Sequence, residues 1–369
     1  MSLTGSATAA GTARYSARFK GKAAVNHFRE AHELTLSSIG IGTYLGNPDA
    51  DTDQRYVESI VSAVQRGVNV IDTAANYRFQ RSERSIGKAL AELTGKDGFA
   101  RDEIVVCTKG GYLPFDDAPP RDVRRYVQET FVTPGIAGFE DIAGGSHCMT
   151  PSYLQNQLDQ SLRNMGIECV DVYYVHNPES QLGYVSRTEF TKRLKAAFEL
   201  LEANRRAGKI QFYGVATWNG FRVPAHQQEA HALSEMVETA REAGGQDHGF
   251  RFVQLPFNLA MPEALTFDNQ TIDGEPISFL EAAERLGITV VSSASIFQGR
   301  VAHGLPETVR EPMGRLATDA QTAIQFVRSA PGVTTALVGM SRSAHVEENL
   351  ALVAIEPAGT DQFMRLFSE

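Results

Sequence analysis

Short apolar runs alternate with longer amphipathic segments along most of the 369-residue chain. The runs are rich in β-branched and aromatic residues, which is typical of buried parallel strands. Predicted strands occupy 38–44, 69–74, 104–109, 170–176, 211–217, 251–257, 288–294 and 335–340. Predicted helices occupy 53–66, 83–93, 151–165, 189–207, 228–243, 278–286, 317–329 and 345–354. Eight strand–helix units predict an α/β fold of the closed (β/α)8 TIM-barrel type, with an open doubly wound sheet as the alternative.

Composition narrows the classes of function. Apolar residues make up 42% of the chain, enough for one large core, and the formal charge of −9 argues against a nucleic-acid-binding face. Three cysteines without paired spacing fit a reducing compartment, and no apolar stretch is long enough to span a bilayer. We therefore predict a cytoplasmic protein without nucleic-acid or membrane partners. The histidine spacing predicts no metal site.

Two segments depart from the regular alternation. Residues 1–25 are small and polar and are expected to form a flexible N-terminal segment, which leaves 26–369 as a single catalytic barrel domain. A long insertion at 111–150 follows the third strand and contains several prolines and aromatic residues. Loops of this length are commonly lids or binding loops, so we expect it to cover the site; a surface insertion is the alternative.

Polar side chains follow three consecutive predicted strands. Asp72, Lys109 and His176 end these strands, and Tyr77 lies in the loop after the first of them. Active sites of α/β barrels form at the carboxyl ends of the strands, so these four residues are expected to meet. Lysine beside a phenol is expected to lower the phenol pKa and favour proton donation, while a neutral histidine orients a carbonyl.

None of these groups can supply a hydride, which requires a cofactor. The glycines between 40 and 46 lack the spacing of a dinucleotide loop. Polar residues in 211–219, 253–258 and 339–349 are candidates for holding a cofactor. The last segment begins a helix, and its start is either a phosphate site or an ordinary serine-capped helix end.

The order and spacing of these motifs resemble the aldo-keto reductase superfamily. Residues 67–77 and 82–90 resemble its strongest signature. Thr108-Lys109 and 175–178 are similar to its lysine and histidine motifs, and 339–349 is similar to its final cofactor segment.

The resemblance implies a barrel that uses NADP(H) without a Rossmann fold. It implies that Tyr77 is the general acid, that Lys109 and Asp72 tune it, and that His176 orients the carbonyl. Ser293 stands where many members have an aromatic residue that stacks on nicotinamide. The implied cofactor-binding residues are Thr43, Asp72, Thr217, Gln254, Ser341, Arg342, His345, Glu348 and Asn349. The expected substrate-pocket residues are Tyr44, Phe115, Asn177 and Trp218.

The leading functional hypothesis is therefore NADPH-dependent reduction of an aldehyde or ketone to an alcohol, with a small carbonyl compound or sugar as substrate. A sugar or polyol dehydrogenase working oxidatively and a cofactor-binding regulatory subunit are the alternatives. The sequence leaves the oligomeric state open.

Overall fold

Eight parallel strands form a closed barrel in the computed structural model, which describes residues 2–367. Neighbouring strands follow chain order, and β8 pairs with β1 to close the ring. This confirms the predicted (β/α)8 barrel and excludes the open sheet. The strands are β1 (Ile39–Gly42), β2 (Val70–Asp72), β3 (Val105–Gly110), β4 (Val170–His176), β5 (Ile210–Ala216), β6 (Phe250–Pro256), β7 (Thr289–Ser293) and β8 (Val333–Gly339).

A main helix follows each strand and packs outside the barrel. Local signals set their ends: the Asp49 side chain caps α1 by accepting from the Thr52 amide, and Gly166 ends α3 with a φ of 62°. The helices are α1 (Ala50–Gln65), α2 (Arg81–Gly95), α3 (Pro151–Met165), α4 (Arg187–Arg206), α5 (Leu233–Gly244), α6 (Phe279–Arg285), α7 (Asp319–Ser329) and α8 (Ser343–Leu350). Within residues 2–367, no helix is long and apolar enough to cross a bilayer.

The N-terminal segment, which we expected to be flexible, contains a helix. Residues Ala9–Ala17 form a helix capped by Thr8, and this helix packs on the barrel. The Tyr15 ring is fully buried, and its hydroxyl donates to the Val64 carbonyl at 2.6 Å. Two aromatic residues in an otherwise small and polar stretch, Tyr15 and Phe19, therefore anchor the segment, which composition alone did not indicate.

A β-hairpin that the sequence did not predict precedes the barrel. Its strands, Phe28–Ala31 and Leu34–Ser37, pair antiparallel. Leu34 and Leu36 are buried in one cluster with barrel residues such as Val105. Because Val105 begins β3, the hairpin closes the amino-terminal end of the barrel, opposite the expected active site. A smaller hairpin, Gln270–Ile272 with Glu275–Ile277, lies between β6 and α6.

The insertion at 111–150 forms a small packed unit with its own core. Helix Val123–Val127 continues into a wider turn at Gln128–Val132. Ring contacts run from Phe115 to Tyr126 (5.4 Å), from Tyr126 to Phe131 (6.0 Å) and from Phe131 to Tyr153 of α3 (5.3 Å). These aromatic side chains therefore pack against one another and against α3, whereas we expected them to cover a ligand.

Candidate active site

The four predicted catalytic residues meet at the carboxyl end of the barrel. Lys109 Nζ donates to Asp72 Oδ1 at 2.6 Å and to the Thr73 carbonyl at 2.7 Å. The same nitrogen lies 4.9 Å from the centroid of the Tyr77 ring. The His176 ring packs edge-on against Tyr77, with centroids 5.9 Å apart. Neighbouring strands thus bring together groups that lie up to about a hundred residues apart in the chain.

Lys109 is a buried cation held by a fixed counter-ion. Burial alone lowers the pKa of its ammonium, but the Asp72 carboxylate and Tyr77 offset this, and the pKa is raised above its ordinary value. Gln254 of β6 donates its amide to the second Asp72 oxygen at 2.8 Å. Both carboxylate oxygens therefore have donors, which fixes the ion pair in the barrel wall.

The phenol of Tyr77 keeps its proton at neutral pH. The ring lines the cavity, yet the surrounding protein desolvates it and raises its pKa above the ordinary value, although Lys109 acts in the opposite direction. The sequence-based expectation of a lowered pKa was therefore wrong in its net direction, because desolvation outweighs the lysine. A protonated phenol next to a cation is nevertheless a suitable proton donor.

His176 is neutral. Burial, Lys109 and His147 hold the pKa of its imidazole well below the ordinary range. Its Nδ1 is buried without a hydrogen-bond partner among the described residues. His176 lines the cavity, and a neutral imidazole there is suited to hydrogen-bonding a substrate oxygen.

Two residues that contact His176 were not predicted from the sequence to support it. Tyr112 packs edge-on against the imidazole at 5.0 Å, and its hydroxyl bonds to Asn177 and Ser180. His147 places Nε2 2.6 Å from the His176 carbonyl oxygen. The sequence offers one signal for Tyr112, because a Gly-Gly pair precedes it. In the structure the second of these glycines, Gly111, adopts a φ of +147°. No sequence signal links His147 to His176, because only the folded insertion brings them together.

A cavity of about 560 Å³ opens above these groups. Asp72 and Ser293 line it. So do six further residues that were predicted to bind cofactor or substrate: Thr43, Tyr44, Asn177, Thr217, Trp218 and Gln254. The Thr217 hydroxyl is buried without a partner among the described residues. Phe115 does not line the cavity, since its ring packs on Tyr126 of the insertion and on Phe79 of the loop after β2. That predicted substrate contact is therefore wrong for this structure.

The predicted phosphate-binding residues lie outside the cavity, on the loop after β8 and on α8. Arg342 is the exposed N-cap residue of α8, and no side chain caps the helix. The alternative of ordinary capping by a serine is therefore not observed. His345 is exposed, Ser341 and Glu348 are partly buried, and Asn349 is buried.

Comparison with known proteins decides the family. Residues 38–242, more than half of the chain, match the model of the aldo/keto reductase family. The chain belongs to this family. It is thus an oxidoreductase by descent, which confirms the resemblance and the predicted enzyme class.

Similarity to individual relatives is more distant. The chain is 24% identical over 354 residues to the L-glyceraldehyde 3-phosphate reductase of Escherichia coli, covering 86% of this chain and 83% of that protein. It is 26% identical over 195 residues to the NADH-specific methylglyoxal reductase of the same organism, but that match spans only 50% of this chain and 49% of the relative. A Klebsiella pneumoniae aldo/keto reductase solved with NADP and acetate shares the fold, with a TM-score of 0.60, 19% identity and coverage of 93% and 95% of the two chains.

Proposed function

We propose that the protein reduces an aldehyde or ketone to an alcohol with NADP(H), and that Tyr77 donates the proton. The observation that carries this proposal is the contact of Tyr77 with the buried Lys109–Asp72 pair at the floor of an open cavity. A reduced nicotinamide bound there supplies the hydride that no side chain can provide.

Each member of the quartet has a separate task in this proposal. The Tyr77 hydroxyl passes its proton to the carbonyl oxygen as negative charge develops on it. Lys109 then stabilises the phenolate that remains, and Asp72 keeps the lysine charged and in place. Neutral His176 hydrogen-bonds the same carbonyl oxygen and orients it toward Tyr77.

The residues around the cavity are suited to a nicotinamide cofactor. A volume of about 560 Å³ is within the range of small-molecule sites, and the unpartnered Thr217 hydroxyl supplies a buried polar contact. Gly42 and Gly339 line the cavity from the adjacent strands β1 and β8, leaving the backbone open to a ligand. One N–H of the Gln254 amide already donates to Asp72, so its second N–H and its oxygen remain for the nicotinamide contact expected of it.

The phosphate end of the cofactor is assigned to α8. The first amides of this helix have no side-chain cap, which suits an anion, and Arg342 is exposed beside them. We assign Ser341, His345, Glu348 and Asn349 to the same end. An arginine at this position favours NADP(H), because the 2′-phosphate can form a charge-assisted pair with it.

A spectrophotometric assay tests the proposal. The loss of reduced-nicotinamide absorbance is measured with NADPH and with NADH for each member of a panel of aldehydes and ketones. We expect turnover with NADPH and slower turnover with NADH at equal concentrations. Tight NADPH binding without turnover of any carbonyl compound would instead indicate a cofactor-binding subunit. Faster oxidation of alcohols or sugars than reduction of their carbonyl partners would indicate a dehydrogenase.

A further inference from the structure

We infer that the substrate is an uncharged carbonyl compound with an apolar or aromatic face, and that the site rejects phosphorylated and carboxylated analogues. This inference rests on the proposed reductase function and names the substrate class of the same site. It departs from the phosphorylated substrate in the name of the glyceraldehyde 3-phosphate reductase.

The cavity offers no counter-charge for an anion. Among the described residues, its lining contains no lysine or arginine. Its one carboxylate, Asp72, is paired with Lys109, and His176 is held neutral. Moving a phosphate or carboxylate from water into such a site without a cation or a set of donors is costly.

Two of the arginines next to the cavity in the chain already have partners. Arg78, which directly follows Tyr77, pairs with Asp53. Arg222 donates to the Trp218 carbonyl at 2.9 Å and pairs with Glu263 at 3.1 Å. Both guanidinium groups hold loops in place, so drawing either toward a substrate would break these contacts.

A buried carboxylate stands behind one wall of the cavity. Glu179 Oε1 accepts hydrogen bonds from the amides of Trp218 at 2.6 Å and Asn219 at 3.1 Å. Burial raises the pKa of this carboxyl, but His231 and the Trp218 amide outweigh that effect and hold it below the ordinary value. A carboxyl group therefore stands behind Trp218, in a chain that already carries a net charge of −9.

The side chains that line the cavity favour a neutral substrate. Tyr44, Tyr112 and Trp218 present aromatic surface, and Trp218 remains 41% exposed. Amide groups from Asn76, Asn177 and Gln298 supply uncharged hydrogen bonds. Aromatic walls with a few amides bind apolar rings and hydroxyl groups well, and they give little stabilisation to an anion.

The test compares neutral substrates with analogues that carry an added anionic group. With NADPH saturating, kcat/KM is measured for benzaldehyde against 4-carboxybenzaldehyde and for glyceraldehyde against glyceraldehyde 3-phosphate. We expect the neutral member of each pair to be favoured by roughly 10²-fold or more, because the charged group loses its water without compensation. Equal or better turnover of the charged members overturns the inference.

A binding measurement tests the substrate class even if the protein turns over none of these substrates. Trp218 is the only tryptophan of the chain and lines the cavity, so its fluorescence reports occupancy. Benzamide and benzoate are titrated into the NADPH-loaded protein, and we expect benzoate to bind at least ~10-fold more weakly. If no carbonyl compound is turned over but benzamide still binds more tightly than benzoate, only the proposed function is wrong. Equal binding of the two ligands defeats the substrate class.

An engineered cation provides the matched control. Gln298 is exposed at the cavity, so Gln298→Arg adds a positive charge at the wall, whereas Gln298→Met changes the same position without charge. We expect the arginine variant to reduce the discrimination against the charged substrates at least ~10-fold relative to the methionine variant. The same discrimination in both variants would show that charge does not set the selectivity.

Discussion

At the scale of single residues, the pKa values of the site depend on how far each side chain is removed from water. The sequence correctly placed Asp72, Lys109, Tyr77 and His176 at one end of the barrel, because strand order and strand ends are encoded locally. The direction of the Tyr77 pKa could not be predicted in this way. It depends on desolvation by segments distant in the chain, and this outweighs the neighbouring lysine.

A relay of hydrogen bonds fixes the backbone of His176. Arg193 donates to the Gln181 amide oxygen at 2.8 Å, which turns the amide nitrogen toward His147. Nδ1 of His147 must then accept, so Nε2 carries the proton and donates to the His176 carbonyl at 2.6 Å. Burial lowers the pKa of His147 to about 4, which keeps it neutral in this role.

We predict that His147→Phe lowers kcat by roughly 10-fold or more, because the unpaired carbonyl and the tilted His176 misplace the substrate oxygen. The free energy of unfolding should fall by about 1–3 kcal/mol, the cost of a buried group left without its partner. NADPH affinity should stay nearly unchanged.

His147→Gln, which keeps a donor at this position, is the matched variant and should recover part of the lost kcat. Steady-state kinetics, NADPH titration and urea unfolding of both variants provide the measurements. If stability falls while kcat and KM remain those of the wild type, His147 has only a structural role.

At the scale of secondary structure, we propose that the N-terminus of α8 distinguishes the two cofactors. We predict that Arg342→Ala weakens NADPH binding by about 1.5–3 kcal/mol, the value of a hydrogen bond to a charged group, and leaves NADH binding nearly unchanged. Fluorescence titration with each cofactor measures this. Arg365→Ala removes another exposed arginine as a control and should affect neither. Equal losses for NADPH and NADH in Arg342→Ala would remove the 2′-phosphate assignment.

The insertion at 111–150 shows what sequence patterns leave undetermined at this scale. Its length and position after Lys109 correctly pointed to the rim of the site, and Tyr112 does line the cavity. Its other aromatic residues could not be placed, because an apolar residue in a loop does not indicate what it packs against. Phe131 is buried against Tyr153, so this part of the segment packs on α3.

At the scale of the whole molecule, the barrel was predictable because each strand–helix unit carries its own hydrophobic period and its own caps. The hairpin at 28–37 and the helix at 9–17 were not predictable in the same way. Both are short, and both are stabilised by contacts with distant barrel residues, such as the hydrogen bond from Tyr15 to Val64. Tertiary packing, which the local pattern does not contain, decides such elements.

Buried neutral histidines make the stability of the whole fold depend on pH. Burial lowers the pKa of His27, like that of His147, to about 4, whereas an unfolded histidine titrates near 6.5. Between these values the unfolded chain binds more protons than the native one, so stability is complete above the unfolded pKa and falls as the pH decreases. We predict a loss of about 2 kcal/mol per buried histidine between pH 7 and pH 5.

Urea unfolding at several pH values in this range measures the loss. His27→Gln should make the dependence shallower, and His226→Gln, at an exposed position, should leave it unchanged. A stability that does not change between pH 7 and pH 5 would contradict the assignment of these histidines as neutral.

Proton donation by Tyr77 is tested most directly by a single-turnover comparison of the wild type with Tyr77→Phe. Each protein is loaded with NADPH and mixed with a saturating neutral aldehyde, and the loss of reduced-nicotinamide absorbance is followed. The variant keeps the ring beside Lys109 but lacks the hydroxyl, so we predict a rate lower by roughly 10²-fold or more with the NADPH dissociation constant unchanged. A rate close to that of the wild type, with NADPH bound equally well, would contradict the assignment of Tyr77 as the proton donor.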